Sequence, residues 1–329
     1  MTSAANIKHF LSGTQWNTAL QDPLTADASN RRYIRLFDTQ KGATALLMLA
    51  PPETETKTGV FIDVANWLRA HGFSAPDIYK ANLASGLMLL EDFGQGSFAE
   101  ILSQDIAREE ELYELAGDVV CALWKSPPPS LPPYDTQALK TELDVFCDYW
   151  WPDRFEGDMP SGVRAAFNTA WEAPLQFLAE KTAAYPTVTL RDFHKDNLFE
   201  LPARKSIARA GLIDFQDALI GHPAYDLVSL LQDARRDISL PVQRKVASNV
   251  AAQSKDPDFL DVYALLGTQR ALKILGVFVR LDTVHTKPHY RAYLPRTWAR
   301  VQQNLDHPML ADIKSWLHTH VQADGDSAQ

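Results

Sequence analysis

Hydrophobic periodicity changes once along this chain, near residue 97, and that change limits the possible folds more than any other feature. Before it the pattern is strand-rich. Arg32-Tyr-Ile-Arg-Leu-Phe37 alternates as a half-buried strand does. Ala45-Leu-Leu-Met-Leu49 is a short apolar run between turn signals, as a buried strand requires. Asp77–Ala81 and Leu87–Leu90 flank Ala84-Ser-Gly86 and predict a hairpin. Between these strands, Val60–Arg69 carries amphipathic helical spacing and stops at Gly72.

From Phe98 onward the spacing becomes helical. Ala107–Lys125, Ala138–Tyr149 and Val163–Ala184 have apolar residues every three or four positions. Pro127–Pro133, with five prolines, separates the first two as a stiff loop. Two short apolar strands follow, Val188–Leu190 and Gly211–Ile213, with a third candidate at Leu198–Leu201. Ala224 to about Val321 is mostly helical, and the polar tail 323–329 is expected to be disordered. The expectation is an α+β protein with a small antiparallel-sheet lobe over residues 1–95, a hinge near 90–96, and a larger helical lobe over 97–322. A cleft between such lobes is a preferred ligand site.

Bulk properties narrow the function. A chain of 329 residues buries a core large enough to need no disulfide or metal staple. Its two cysteines, Cys121 and Cys147, are read as reduced thiols. A formal charge of −9 argues against nucleic acid as partner. The start has no apolar signal core, and no uninterrupted apolar run approaches the roughly 20 residues of a membrane helix. The expected location is therefore the cytoplasm, with no membrane partner.

The chemistry concentrates in Leu190-Arg-Asp-Phe-His-Lys-Asp-Asn197 and, after a short hairpin, Gly211-Leu-Ile-Asp-Phe215. Phosphoryl transfer asks a protein mainly for positioning and charge neutralisation. Asp192 is placed to meet an attacking hydroxyl and take its proton. Asn197 on the same loop and Asp214 at a strand end offer oxygen ligands to magnesium.

These residues resemble the kinase catalytic loop. Asp192-Phe-His194 with Asn197 resembles the aminoglycoside phosphotransferase and choline kinase-like family in particular, and Ile213-Asp-Phe-Gln216 resembles its metal-binding element. Further segments resemble one subgroup, the bacterial kinases acting on the anomeric hydroxyl of N-acetylmuramate and N-acetylglucosamine in cell-wall sugar recycling. They include Ala26–Tyr33, Leu131-Pro-Pro-Tyr-Asp135, Tyr225–Leu231 and Gln269–Gly276. The resemblance implies a bilobal protein-kinase-like fold, ATP and Mg2+ as cofactors, and an amino sugar as substrate. It makes Asp192 catalytic, and Asn197 and Asp214 metal ligands. Asp226 and His194 give structural support to the loop. Ser29, Asn30 and Arg32 face the phosphates, and Leu90, Glu91, Asp92 and Phe93 the adenine. Gln269, Arg270, Lys273 and Arg280 share a helical face that is either solvated or, through Arg270 and Lys273, holds an acidic sugar.

The chain departs from the family in three places. Leu190 stands where a histidine is usual, the phosphate loop is not glycine-rich, and Met48 lies near the place of the usual strand lysine. Lys57, Arg31, Arg32 and Arg35 are the alternatives for its charge. Asp92-Phe-Gly94 spells the kinase metal motif but precedes the catalytic loop by about a hundred residues, so it is read as hinge. Alternatives of substrate and class are an aminoglycoside or other small-alcohol phosphotransferase, a nucleotide-binding pseudokinase and, least favoured because an activation segment is absent after Asp214, a protein kinase.

Overall fold

The computed structural model describes residues 4–24, 31–53 and 56–322. In chain order it runs α1 (Ala4–Leu11), β1 (Leu20–Pro23), β2 (Arg32–Asp38), β3 (Ala43–Leu49), α2 (Thr58–Ala70), β4 (Ile78–Asn82), β5 (Leu87–Glu91), α3 (Phe98–Gln104) and α4 (Glu109–Lys125). There follow α5 (Thr136–Val145), α6 (Trp151–Phe155), α7 (Ser161–Ala184), β6 (Thr187–Thr189), β7 (Leu198–Glu200), β8 (Ala210–Leu212) and β9 (Leu219–Gly221). The chain then continues through α8 (Ala224–Leu231), α9 (Leu240–Gln253), α10 (Phe259–Thr283), α11 (Leu294–Asn304) and α12 (Ala311–Leu317). It gathers into two compact units, Met1–Val119 with Lys195–Ala218, and Val120–His194 with Leu219–Gln329.

The first unit is built on an antiparallel sheet of order β1-β2-β3-β5-β4. In β3, Leu47, Met48 and Leu49 are all buried, as are Leu87 to Leu90 in β5. These two central strands are covered on both faces, which is why they read as continuous apolar runs. One cover is α1, whose Ile7, Phe10 and Leu11 pack with Trp16 against Leu36, Ala45, Leu47, Leu49, Leu87 and Leu89. Ser97 starts α3 with a capping box: its hydroxyl accepts the Glu100 N–H, and Glu100 accepts the Ser97 N–H.

The β7–β8 hairpin joins this unit from far along the chain. Leu212 N–H donates to Ser74 O at 2.7 Å, and Glu200 N–H donates to Gly96 O at 2.9 Å. Arg108 and Arg209 close on Glu200 and Glu111, with Arg108 reaching both oxygens of Glu200 at 2.7 and 2.8 Å. Hydrogen bonding from Arg108, helped by Arg209, holds the Glu200 carboxyl down to about 2. A depressed acid stabilises the fold above its unfolded value, near 4.3, and loses that contribution as pH falls toward 2. Glu200→Gln is therefore expected to cost about 2 kcal/mol at pH 7 after screening, and to flatten the acid limb of stability between about pH 4 and 2. Urea titrations across that range check both.

The second unit is helical around α10, with the two-stranded ribbon β6–β9 at one edge. By length and composition α10 is apolar enough to cross a membrane, but 78% of its most apolar window is buried in the protein, as in a core helix. A Cβ on Gly276 of α10 would lie 2.2 Å from Val145 O, so the close approach of α10 to the end of α5 requires glycine there.

Candidate active site

Asp192 lies in the second unit, in the loop after β6. The loop is fastened from below. Asp226, buried at the start of α8, accepts the Leu190 N–H at 2.7 Å on one oxygen and the Arg191 N–H at 2.9 Å on the other. Arg191 adopts the left-handed region, φ 72°, which a non-glycine residue holds only where its surroundings compel it. Its carbonyl accepts from Ser229 Oγ at 3.0 Å and Arg270 Nη2 at 3.4 Å. The same Arg270 nitrogen donates to Ser229 Oγ at 2.7 Å and stands 3.9 Å from Asp192 Oδ1. Asp192 itself is 45% exposed and accessible to an acceptor. His194 is buried, and its N–H donates to Asp192 O at 3.1 Å.

The Arg191 guanidinium turns away from Asp192 onto Glu142 of α5. Glu142 also receives the Tyr134 hydroxyl, Lys273 Nζ at 2.7 Å and Gln269 Nε2 at 3.2 Å. Burial pushes the Glu142 carboxyl up, but Lys273 and Arg191 pull it down further, so it stays below its usual range and charged. The helical face carrying Gln269, Arg270 and Lys273 is thus interior rather than solvated: Gln269 and Arg270 are buried. Sequence reasoning missed Glu142. The available signal was an acid between Leu139 and Leu143, both buried, on an apolar helix face.

Asn197 and Asp214 lie in the first unit and flank the open end of the β7–β8 hairpin, where Leu198 pairs with Leu212. Ile213 N–H donates to Asn197 O at 3.1 Å, which joins the two segments. Asp214 is held at φ 61°, also left-handed. The next residue, Phe215, is fully buried and stacks on Phe61 of α2 with ring centroids 4.9 Å apart. Asp214 Oδ1 accepts from Arg31 Nη2 at 2.9 Å and Gln216 Nε2 at 3.0 Å, while its side chain stays 38% exposed. A carboxylate and an amide oxygen are hard donors and fit magnesium. Among described residues, then, the structure brings Asn197 and Asp214 together in one unit and Asp192, His194, Asp226, Arg270 and Lys273 together in the other.

The remaining expected residues belong to the first unit. Leu90 is buried in β5, and Glu91 ends that strand, where it accepts from Arg204 and from the Asp77 N–H. The Asp92 carboxylate is engaged by Arg35 Nε at 2.7 Å, Arg35 Nη2 at 3.2 Å and the Gly94 N–H at 2.9 Å. Phe93 packs near Phe199, ring centroids 5.9 Å apart, with the Arg204 guanidinium over its ring. Arg32 opens β2 and is exposed. Ser29 and Asn30 lie outside the described residues.

Known proteins resemble the chain along most of its length. The sequence profile of the phosphotransferase enzyme family matches residues 21–263. The N-acetylmuramate/N-acetylglucosamine kinase of Caulobacter vibrioides is 33% identical, with 95% of this chain and 95% of that protein covered. The protein of the same name from Pseudomonas aeruginosa is 32% identical over 90% of this chain and 87% of its own length. An aminoglycoside phosphotransferase from Streptomyces rimosus superposes with a TM-score of 0.53, covering 81% of this chain and 98% of that one. At 18% identity it carries the fold alone, and that fold is the protein-kinase-like one expected from the sequence. With the profile spanning most of the chain and a named kinase 33% identical along nearly all of it, the chain belongs to the phosphotransferase enzyme family and is a kinase.

Proposed function

We propose that this kinase transfers the γ-phosphoryl group of ATP to the anomeric hydroxyl of an amino sugar, N-acetylmuramate or N-acetylglucosamine, in the cytoplasm. The observation that carries the reading is the Asp192 loop. It has a partly exposed carboxylate on a backbone pinned by Asp226, in a chain similar along nearly its whole length to kinases named for those sugars.

In this reading the Asp192 carboxylate accepts the proton of the sugar hydroxyl as its oxygen attacks the γ-phosphorus. The bond to the ADP oxygen breaks, and ADP leaves. Asn197 and Asp214 hold Mg2+, which when bound neutralises phosphate charge. Residues 1–95 seat the nucleotide, with adenine at the hinge near Leu90, Glu91, Asp92 and Phe93 and phosphates near Ser29, Asn30 and Arg32. Residues 97–322 carry the acceptor.

Arg270 and Lys273 are the cations proposed for an acidic sugar. Arg270→Ala is expected to raise KM for N-acetylmuramate about tenfold, the value of a lost charged hydrogen bond, and KM for N-acetylglucosamine less than twofold. It is expected to lower kcat for both, because Arg270 also bonds the Arg191 carbonyl. An unchanged KM for the acidic sugar removes Arg270 from the acceptor site and leaves it as a loop brace.

The proposal is tested by ADP release from Mg-ATP in the presence of N-acetylmuramate, N-acetylglucosamine, other hexosamines and aminoglycosides. Turnover stimulated by the two N-acetyl sugars is expected. Turnover with an aminoglycoside alone replaces the substrate. Nucleotide binding without turnover on any acceptor favours a pseudokinase.

A further inference from the structure

The charge a nucleotide kinase normally takes from a strand lysine has to come from elsewhere here. Strand β3 carries no cation, and Met48 is 1% exposed within it. Several other cations of the first unit are engaged away from the Asp214 segment. Arg35 is forked onto Asp92, Lys80 donates to Phe10 O, and Arg108 and Arg209 hold Glu200. Lys57 and Arg31 reach the loop Asp214–Asp217. Lys57 pairs with Asp217, but its side chain is 51% exposed, and such pairs hold little. Arg31 is 8% exposed.

Arg31 is built in. Its Nη1 donates to Gln216 Oε1 at 2.8 Å, its Nη2 to Asp214 Oδ1 at 2.9 Å, and Gln216 Nε2 closes the triangle on the same oxygen at 3.0 Å. We infer that Arg31 is the phosphate-facing cation of this enzyme, taking the part of the absent strand lysine while it orients Asp214. The inference rests on the reading of Asp214 as magnesium ligand. Asp214 would hold Mg2+ there, and the ion would neutralise charge on the phosphates beside it. A guanidinium already hydrogen-bonded to that carboxylate would stand beside those phosphates, and its planar fork suits phosphate oxygens.

The test is calorimetric binding of adenosine and of ADP, each without metal and with Mg2+, to the whole wild-type chain and to R31Q and R31M. Two variants guard against one failing to fold, and adenosine affinity with the melting temperature reports folding. The expected result is a loss of metal-free ADP affinity of about tenfold or more, with adenosine affinity within twofold of wild type. A folded variant that binds metal-free ADP as tightly as wild type, and changes only in its Mg2+ dependence, overturns the inference and leaves Arg31 as a brace for Asp214. A wild-type chain that binds neither adenosine nor ADP overturns the kinase reading and the inference with it. That failure is visible before any variant is made.

Discussion

Asp192→Asn is expected to leave the fold intact and lower kcat by about 10²- to 10⁴-fold, the range for loss of a general base. The side chain is partly exposed, and Asp226 holds the loop through the backbone of Leu190 and Arg191. Asparagine keeps the shape and removes the proton acceptor. KM for ATP should change less than threefold, because the residue is assigned to the acceptor and not to the nucleotide. Steady-state kinetics beside a thermal melt check the prediction. A variant of normal turnover would place the chemistry at another carboxylate.

The second large effect is expected at Asp226. Asp226→Ala leaves two loop N–H groups without their acceptor, at about 1–3 kcal/mol each where buried. It also releases Arg191 from its left-handed conformation, so kcat should fall about 100-fold from misplacement of Asp192 alone. Unlike Asp192→Asn, this variant should lose melting temperature together with kcat. Asp226 also sets a pH dependence. Burial pushes its carboxyl up to about 7, although the two N–H bonds and Arg270 pull it down. The unfolded value is about 3.9, so the folded protein holds an extra proton between the two. The contribution of that proton to stability is complete below about pH 4 and is lost as pH rises through 7. Asp226→Asn keeps one acceptor oxygen and cannot titrate, so the fall in stability expected of the parent from pH 5 to pH 8 should be absent from it. Urea unfolding at those two pH values decides; equal slopes would mean that Asp226 does not titrate in this range.

Local features were legible in the sequence, and partnerships between distant segments were not. Asp192, Asn197 and Asp214 stand out because their order and spacing are contained in one short stretch. Strands β2, β3 and β5 are legible through alternation and apolar runs. Helix α1 escaped because Ile7, Phe10 and Leu11 form a single turn of pattern, given meaning only by the sheet they cover. The partners of the β7–β8 hairpin escaped for a related reason. Its attachment includes Ser74 Oγ on Ala208 O, a bond across 134 residues, and no periodicity announces a backbone partner. Glu142 shows the limit most clearly. By itself it is an acid on an apolar face. Only the folded chain brings Tyr134, Arg191, Gln269 and Lys273 to it.

The proposed product carries phosphate on the anomeric oxygen of an amino sugar, and the product itself reports that position directly. Wild-type protein and Asp192→Asn, each incubated with Mg-ATP and N-acetylmuramate or N-acetylglucosamine, are followed by phosphorus NMR with coupling to the sugar protons. A new phosphate ester coupled to the anomeric proton, with loss of the sugar's reducing end, is expected from wild type and not from the variant. A phosphate coupled to any other ring or side-chain position, or an ester formed equally well by Asp192→Asn, would contradict the proposal.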